Sequence, residues 1–212
     1  MERNEIMRRN NAIEWSRSVL ANKDQYVIFD TETTGLKESD VIVHFAVMDL
    51  DGNMLIDTKV KPMSKRRMSQ DATYFHGMTM KDLKDAPLFE EVVDMFRPIS
   101  ASKKLLSYNA RFHAEMFEQT YMNEGVTGEP IRLDCWDVKD YYVQFSGQYN
   151  AALPGRKNTG VGDCMATLAV IRRMAEGEVV EIVDVQAENK DNVVGAVLTI
   201  LAVVVFVFIM AC

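Results

Sequence analysis

Apolar positions along this chain switch between continuous, alternating and helical spacing, and each switch marks an element. Val27, Ile28 and Phe29 form an unbroken run of β-formers that ends abruptly in Asp30 and Glu32, with Gly35 to turn the chain. The pattern predicts a buried strand that carries carboxylates at its end. Two further β-rich runs, Val41 to Leu50 and Met54 to Val60, flank Asp51-Gly52-Asn53, a strong hairpin signal. Helical spacing then takes over. Phe89, Val92, Val93 and Phe96 repeat at helical intervals behind Pro87, and Phe112, Met116 and Phe117 do so between Ala110 and Asn123, with Gly125 as terminator. Leu105 and Leu106 read as the end of a buried strand, Ile131 to Asp134 as another strand, and Val138 to Phe145 as a helix. Asp163 to Ala175 is the last helix of the folded part, with Leu168, Ile171 and Met174 inward, and Asn11 to Leu20 is an amphipathic helix ahead of the first strand. Strands alternating with helices after an opening hairpin indicate one α/β domain, with the acidic strand at the edge or the centre of its sheet.

The tail breaks this pattern. Val193 to Cys212 is twenty residues without a charge, which as a helix would be about 30 Å long and match a bilayer core. It reads as a single-pass C-terminal transmembrane anchor. Arg172, Arg173 and Lys190 precede it, which puts the folded part on the cytoplasmic side. The resulting division is a helical lead-in over 1–24, the α/β domain over 25–176, an acidic linker over 177–192 spanning at most on the order of 50 Å, and the anchor over 193–212.

Composition adds little beyond limits. A formal net charge of −7 argues against broad attraction to nucleic acid but leaves room for a local basic groove. The basic run from Lys61 to Arg67 could touch phosphates, though an exposed loop is the commoner meaning of such a run. Cys135, Cys164 and Cys212 are scattered, which fits a reducing compartment and supports neither a disulfide framework nor a zinc site.

Chemistry enters with Asp30 and Glu32. Residues two apart in a strand point to one face, and like charges there repel unless a cation such as Mg²⁺ or Mn²⁺ sits between them. An acidic strand end facing water is the plainer alternative. Taken singly, His113 would be a satisfied histidine at the rim of the core, and Asp163 a carboxylate favouring its helix dipole.

In order along the chain, these residues resemble a known family. Phe29-Asp30-Thr31-Glu32-Thr33-Thr34-Gly35-Leu36 is similar to the first motif of the DEDD 3′–5′ exonucleases, and His76-Gly77-Met78-Thr79 to their His-Gly-Ile-Thr stretch. Tyr108-Asn109-Ala110-Arg111-Phe112-His113 resembles the second motif, Asn-Ala-x-Phe-Asp, and Asn158 to Asp163 the third, His-x-Ala-Leu-x-Asp. The resemblance covers about Tyr26 to Met174. It implies an RNase H-like fold, a mixed sheet flanked by helices, in which four carboxylates hold two divalent metals over a 3′-terminal phosphodiester and a histidine serves as general base. Carried over by position, Asp30, Glu32 and Asp163 are metal ligands, and Thr33, His76 and Asn109 lie beside the terminal nucleotide. The remaining positions depart from the pattern: His113 stands at the second-motif aspartate and Asn158 at the third-motif histidine.

Imidazole is a poor ligand for Mg²⁺, and an asparagine cannot take a proton, so the resemblance implies one Mg or Mn site, a weak or absent second site, and impaired catalysis. His113 acting as a relocated base, and Asp134 or Asp137 as a replacement carboxylate, remain open, with Asp134 expected in a supporting role. The expectation is a membrane-tethered exonuclease-like protein that binds a single-stranded nucleic-acid 3′ end or a nucleotide. An active 3′–5′ exonuclease with an altered metal site is one alternative. A membrane-held scaffold for a protein partner is the other.

Overall fold

The computed structural model describes residues 2–63 and 66–181. Its centre is a five-stranded sheet in the order β3-β2-β1-β4-β5, built from β1 (Tyr26–Thr33), β2 (Ile42–Asp49), β3 (Met54–Lys59), β4 (Lys104–Ser107) and β5 (Cys135–Asp137). The β1–β2 and β2–β3 pairs are antiparallel, whereas β1–β4 and β4–β5 are parallel, so the sheet is mixed. All eight residues of β1 are buried, as expected of a strand covered on both faces. The acidic strand is therefore the central one.

Helices cover both faces. α1 (Arg3–Ala21), α5 (Val138–Ser146) and α6 (Gly160–Ala175) pack together on one side, where Ile28, Ala46, Met48 and Leu106 meet Val138, Leu168 and Ile171. α3 (Phe89–Ser102) and α4 (Ala110–Asn123) take the other, where Val27, Phe29, Phe45 and Val47 meet Phe89, Phe96 and Phe117. A short α2 (Gln70–His76) follows the hairpin. The period-two alternation of β1 thus sends Ile28 toward α6 and Phe29 toward α4.

Three boundaries differ from the sequence reading. α1 starts at Arg3 because Glu2 and Glu5 form a capping box, while Ile6 and Met7 in its first turns are not buried and so give no core spacing to read. α6 starts at Gly160, where the Thr159 hydroxyl accepts from the Gly162 N–H. The strand expected at Ile131 to Asp134 pairs only from Cys135, in register with Leu105. Ile131 and Leu133 continue the same alternation and pack against the α3–α4 side, but without ladder bonds, and burial alone cannot distinguish the two. Among the described residues no helix is long and apolar enough to cross a membrane. The segment read as an anchor, 193–212, lies outside the described residues, as does the linker beyond 181.

Gly160 sets how closely α6 approaches the sheet. A Cβ there would fall 2.6 Å from His44 Nδ1 and 2.9 Å from the Ala46 Cβ, both on the central part of β2. His44 cannot easily yield, because its Nε2 is held 2.9 Å from Asp57 Oδ1. Gly160→Ala is therefore expected to lower stability by about 1–3 kcal/mol through overpacking, read from the urea unfolding midpoint; an unchanged midpoint would show that α6 can shift freely.

Candidate functional site

Beyond Ile28, where the parallel pairing with β4 ends, β1 runs on past its neighbour and leaves its last residues open to whatever approaches that edge. Asp30 and Glu32 continue the Ile28 face and meet Asp163, which α6 presents from its first turn. One carboxylate oxygen from each lies within 4.8 Å of the others, and all three residues are buried. They sit in a cleft of about 640 Å³ whose walls include Phe75, Phe112, Leu153 and Arg156.

The three carboxylates are not equivalent. Burial, and then the neighbouring carboxylates Glu32 and Asp163, push the Asp30 carboxyl well above its ordinary range. Burial and the charge of Asp163 raise Glu32 to about 7. Asp163 is instead wrapped by its own loop: Oδ1 accepts from the N–H groups of Lys157 at 2.7 Å and Asn158 at 3.2 Å, and Oδ2 accepts from Arg156 Nε at 3.0 Å. Glu32 Oε1 is buried with no hydrogen-bond partner among the described residues. An unsatisfied anionic oxygen in such surroundings is costly by itself and is the ordinary companion of a cation. The donor set is all carboxylate oxygen, which suits a hard divalent ion.

His113 reaches the same place from α4, on the opposite face, by entering at the open edge of β1. Its Nδ1 lies 3.2 Å from the Thr31 backbone N, which donates to it, and 2.8 Å from Thr31 Oγ1. Because Nδ1 accepts the amide proton, the ring's own proton is on Nε2, which lies 3.4 Å from Asp30 Oδ1. Burial drives His113 down to about 4, with a backbone hydrogen bond to Tyr108 opposing and the charge of Arg156 adding to the depression. It is a neutral imidazole beside Asp30. In that tautomer neither nitrogen offers a free lone pair to a metal or to a water, and the arrangement does not supply the relocated base.

The other positions singled out in the sequence are also engaged. Asn158 adopts a left-handed backbone, φ 54°, which asparagine tolerates better than most residues and which turns its N–H onto Asp163. Asn109 is left-handed too, φ 70°, and donates its N–H to Asp137 Oδ1 at 2.9 Å while Ala110 donates to Oδ2 at 3.0 Å. The supporting carboxylate between the second motif and β5 is therefore Asp137 and not Asp134. His76 accepts from Met78 N at 3.1 Å through Nδ1, so its Nε2–H donates to the Thr33 carbonyl, also at 3.1 Å, and ties α2 to the end of β1. Thr33 Oγ1 donates to the Gly35 carbonyl at 2.8 Å and lines the cleft. From the basic run, Arg66 pairs with Glu124 at 3.1 Å, so this residue clamps a loop to α4. Arg156 was not visible in the sequence reading. It is a charged residue in a Gly- and Pro-containing loop, and only the return of that loop to β1 brings it to the acids.

A family model described as Exonuclease matches residues 27–171. An uncharacterized exonuclease of Escherichia phage 186 is 24% identical over 178 residues, covering 73% of this chain and 90% of its own. Among solved structures, a 3′-exonuclease in 3′-end specific recognition of the histone mRNA stem-loop superposes with TM-score 0.59 at 15% identity, over 79% of this chain and 71% of that one. E. coli exonuclease I in complex with a dA16 oligonucleotide superposes with TM-score 0.53 at 16% identity, over 71% of this chain and 42% of the other. At such identities these likenesses establish the fold, a mixed sheet flanked by helices of the RNase H-like exonuclease kind.

The buried acids predict a pH signature in the metal-free chain. A carboxyl whose folded-state value is raised contributes stability that is lost as pH rises through that value, so Glu32 and Asp30 destabilise the fold on ionising. His113, lowered, acts oppositely and only as pH falls below its ordinary 6.5, so the two effects offset each other in mild acid. Above about pH 6.5 the loss is uncompensated. Unfolding free energy should fall by about 1 kcal/mol from pH 6.5 to 8 on account of Glu32, Glu32→Gln should flatten that part, and a divalent salt should reverse it. A flat profile in the parent chain would contradict the crowding of these acids.

Proposed function

The chain belongs to the DEDD-type 3′–5′ exonuclease family, and on that premise we propose that it binds one divalent cation and a single-stranded nucleic-acid 3′ end, or a nucleotide, with weakened phosphodiester hydrolysis. The observation that carries this reading is the buried Asp30-Glu32-Asp163 cluster, with a Glu32 oxygen that has no partner among the described residues, opening into the cleft. Those three residues would hold the ion, Mg²⁺ or Mn²⁺. When bound, it supplies Lewis-acid polarisation of a phosphate and a more acidic water.

The chain's own residues do the rest. Thr33, the His76 ring and Asn109 border the space for the terminal nucleotide, and the exposed Phe75 ring offers a stacking face in the same cleft. Two features argue for slow turnover. His113 is neutral and its Nδ1 is taken by the Thr31 N–H, so the second-motif position brings neither a charge nor an accepting nitrogen. Asn158 cannot take a proton from the attacking water, and loss of a general base typically costs about 10²- to 10⁴-fold. Binding to single strands by solved neighbours such as exonuclease I with its oligonucleotide supports the choice of ligand class.

Cleavage of a 5′-labelled single strand in Mg²⁺ and in Mn²⁺ tests the proposal. Slow stepwise shortening or metal-dependent binding is expected, abolished by Asp30→Ala. Restoring the family pattern with His113→Asp together with Asn158→His should raise the rate about 10²-fold or more. Parent cleavage already at the rate of the restored variant would sink the claim of impairment, and absence of both binding and cleavage would favour a protein-binding scaffold.

We carry the uncharged segment 193–212 into the proposal as a membrane anchor that holds the folded part on the cytoplasmic side. Its support is the composition of that segment. The full chain should then sediment with membranes and resist carbonate extraction, and a chain ending at residue 192 should be released; equal distribution of the two would remove the anchor.

A further inference from the structure

Arg156 has no counterpart in the readings above. Its Nε is spent on Asp163 Oδ2 at 3.0 Å, yet its two terminal nitrogens make no hydrogen bond among the described residues. The side chain is 54% exposed and lines the cleft. It is nevertheless not a loosely tethered surface arginine. The Lys157 and Asn158 N–H groups on Asp163 Oδ1 fix the adjoining backbone, the Arg156 N–H reaches the Leu153 carbonyl at 3.3 Å, and the left-handed turn at Asn158 leads directly into the cap of α6. The loop is built so that a guanidinium stands at the mouth of the acidic cluster.

Taking the proposed metal-binding reading as its basis, we infer that Arg156 is the site's second cation: beside one divalent ion held by Asp30, Glu32 and Asp163, its free N–H groups bind the phosphate of the incoming nucleotide. The charge count favours this arrangement. Three ionised carboxylates and one guanidinium leave two negative charges, which one divalent ion neutralises. A second divalent ion would leave the site with an excess of positive charge, and His113, being neutral, offers nothing to hold it. The chemistry also fits, because a guanidinium presents a fork of donors that matches two phosphate oxygens, and it keeps its charge at any working pH. Its field already reaches the site, favouring ionised Asp30 and Glu32 and disfavouring a protonated His113. The departures from the family pattern then form a set: an uncharged residue at the second motif, and a fixed cation supplied from the loop of the third.

Isothermal titration of the full chain in mild detergent separates this inference from the reading on which it rests. Titrating MnCl₂ should give one ion per wild-type chain. With Mn²⁺ saturating, thymidine 5′-monophosphate should bind more tightly than thymidine, and Arg156→Gln should lose roughly 10-fold or more of that preference while still taking one Mn²⁺ at least as tightly. Arg156→Lys, which keeps the charge without the fork, should fall between. Two Mn²⁺ per wild-type chain, or an undiminished preference for the monophosphate in Arg156→Gln, would overturn the inference and leave the metal-binding reading standing. Faster strand cleavage by Arg156→Gln would also overturn it, since the arginine would then be a latch on the acids. A wild-type chain that takes no Mn²⁺ would overturn the reading itself, and the inference with it.

Discussion

Asp30, Glu32 and Asp163 crowd carboxylates into the buried end of a central strand, where water screens them poorly, and much of the surrounding structure can be understood as an answer to that repulsion. Asp163 is answered by its own loop, through two backbone N–H groups and the Arg156 guanidinium. Asp30 has only the Nε2 of a neutral histidine 3.4 Å away and the more distant charge of Arg156. Glu32 keeps one oxygen without a partner among the described residues. The compensation is uneven, and the unevenness points to where an external cation would be most favourable.

β1 lies at the centre of the sheet and outruns β4, and that placement is what crowds the acids. A strand covered on both faces gives the acids low-dielectric walls, and the open edge past Ile28 lets α4 deliver His113 from one side while α6 delivers Asp163 from the other. Gly160 allows that second approach, since any larger residue would meet His44 and Ala46. Asp137 plays a quieter part: it caps α5 through the Lys139 N–H and holds the left-handed turn at Asn109 that starts α4, and so sets the height at which His113 arrives.

His113 shows how one substitution alters a site beyond its own atoms. A carboxylate there would add a fourth negative charge to a cluster already short of compensation. The imidazole, being neutral, adds none, and its Nδ1 accepts the Thr31 N–H. Burial keeps it in that state by holding its proton affinity far below the ordinary imidazole value.

The sequence by itself determined the α/β class, the hairpin about Asp51-Gly52-Asn53, the helices from Ala110 and from Val138, and the shared face of Asp30 and Glu32, because each rests on a spacing of neighbours that a strand or helix converts directly into direction. It also marked His113 and Asn158 as departures from a family pattern. The tertiary structure decided what those departures do. The tautomer of His113 depends on an amide in β1, the choice of Asp137 over Asp134 depends on where the ladder with β4 begins, and the presence of Arg156 at the acids depends on a loop folding back across the end of the sheet. Each of these joins residues far apart in the chain or held by loop geometry, and periodicity carries no information about which distant groups will meet.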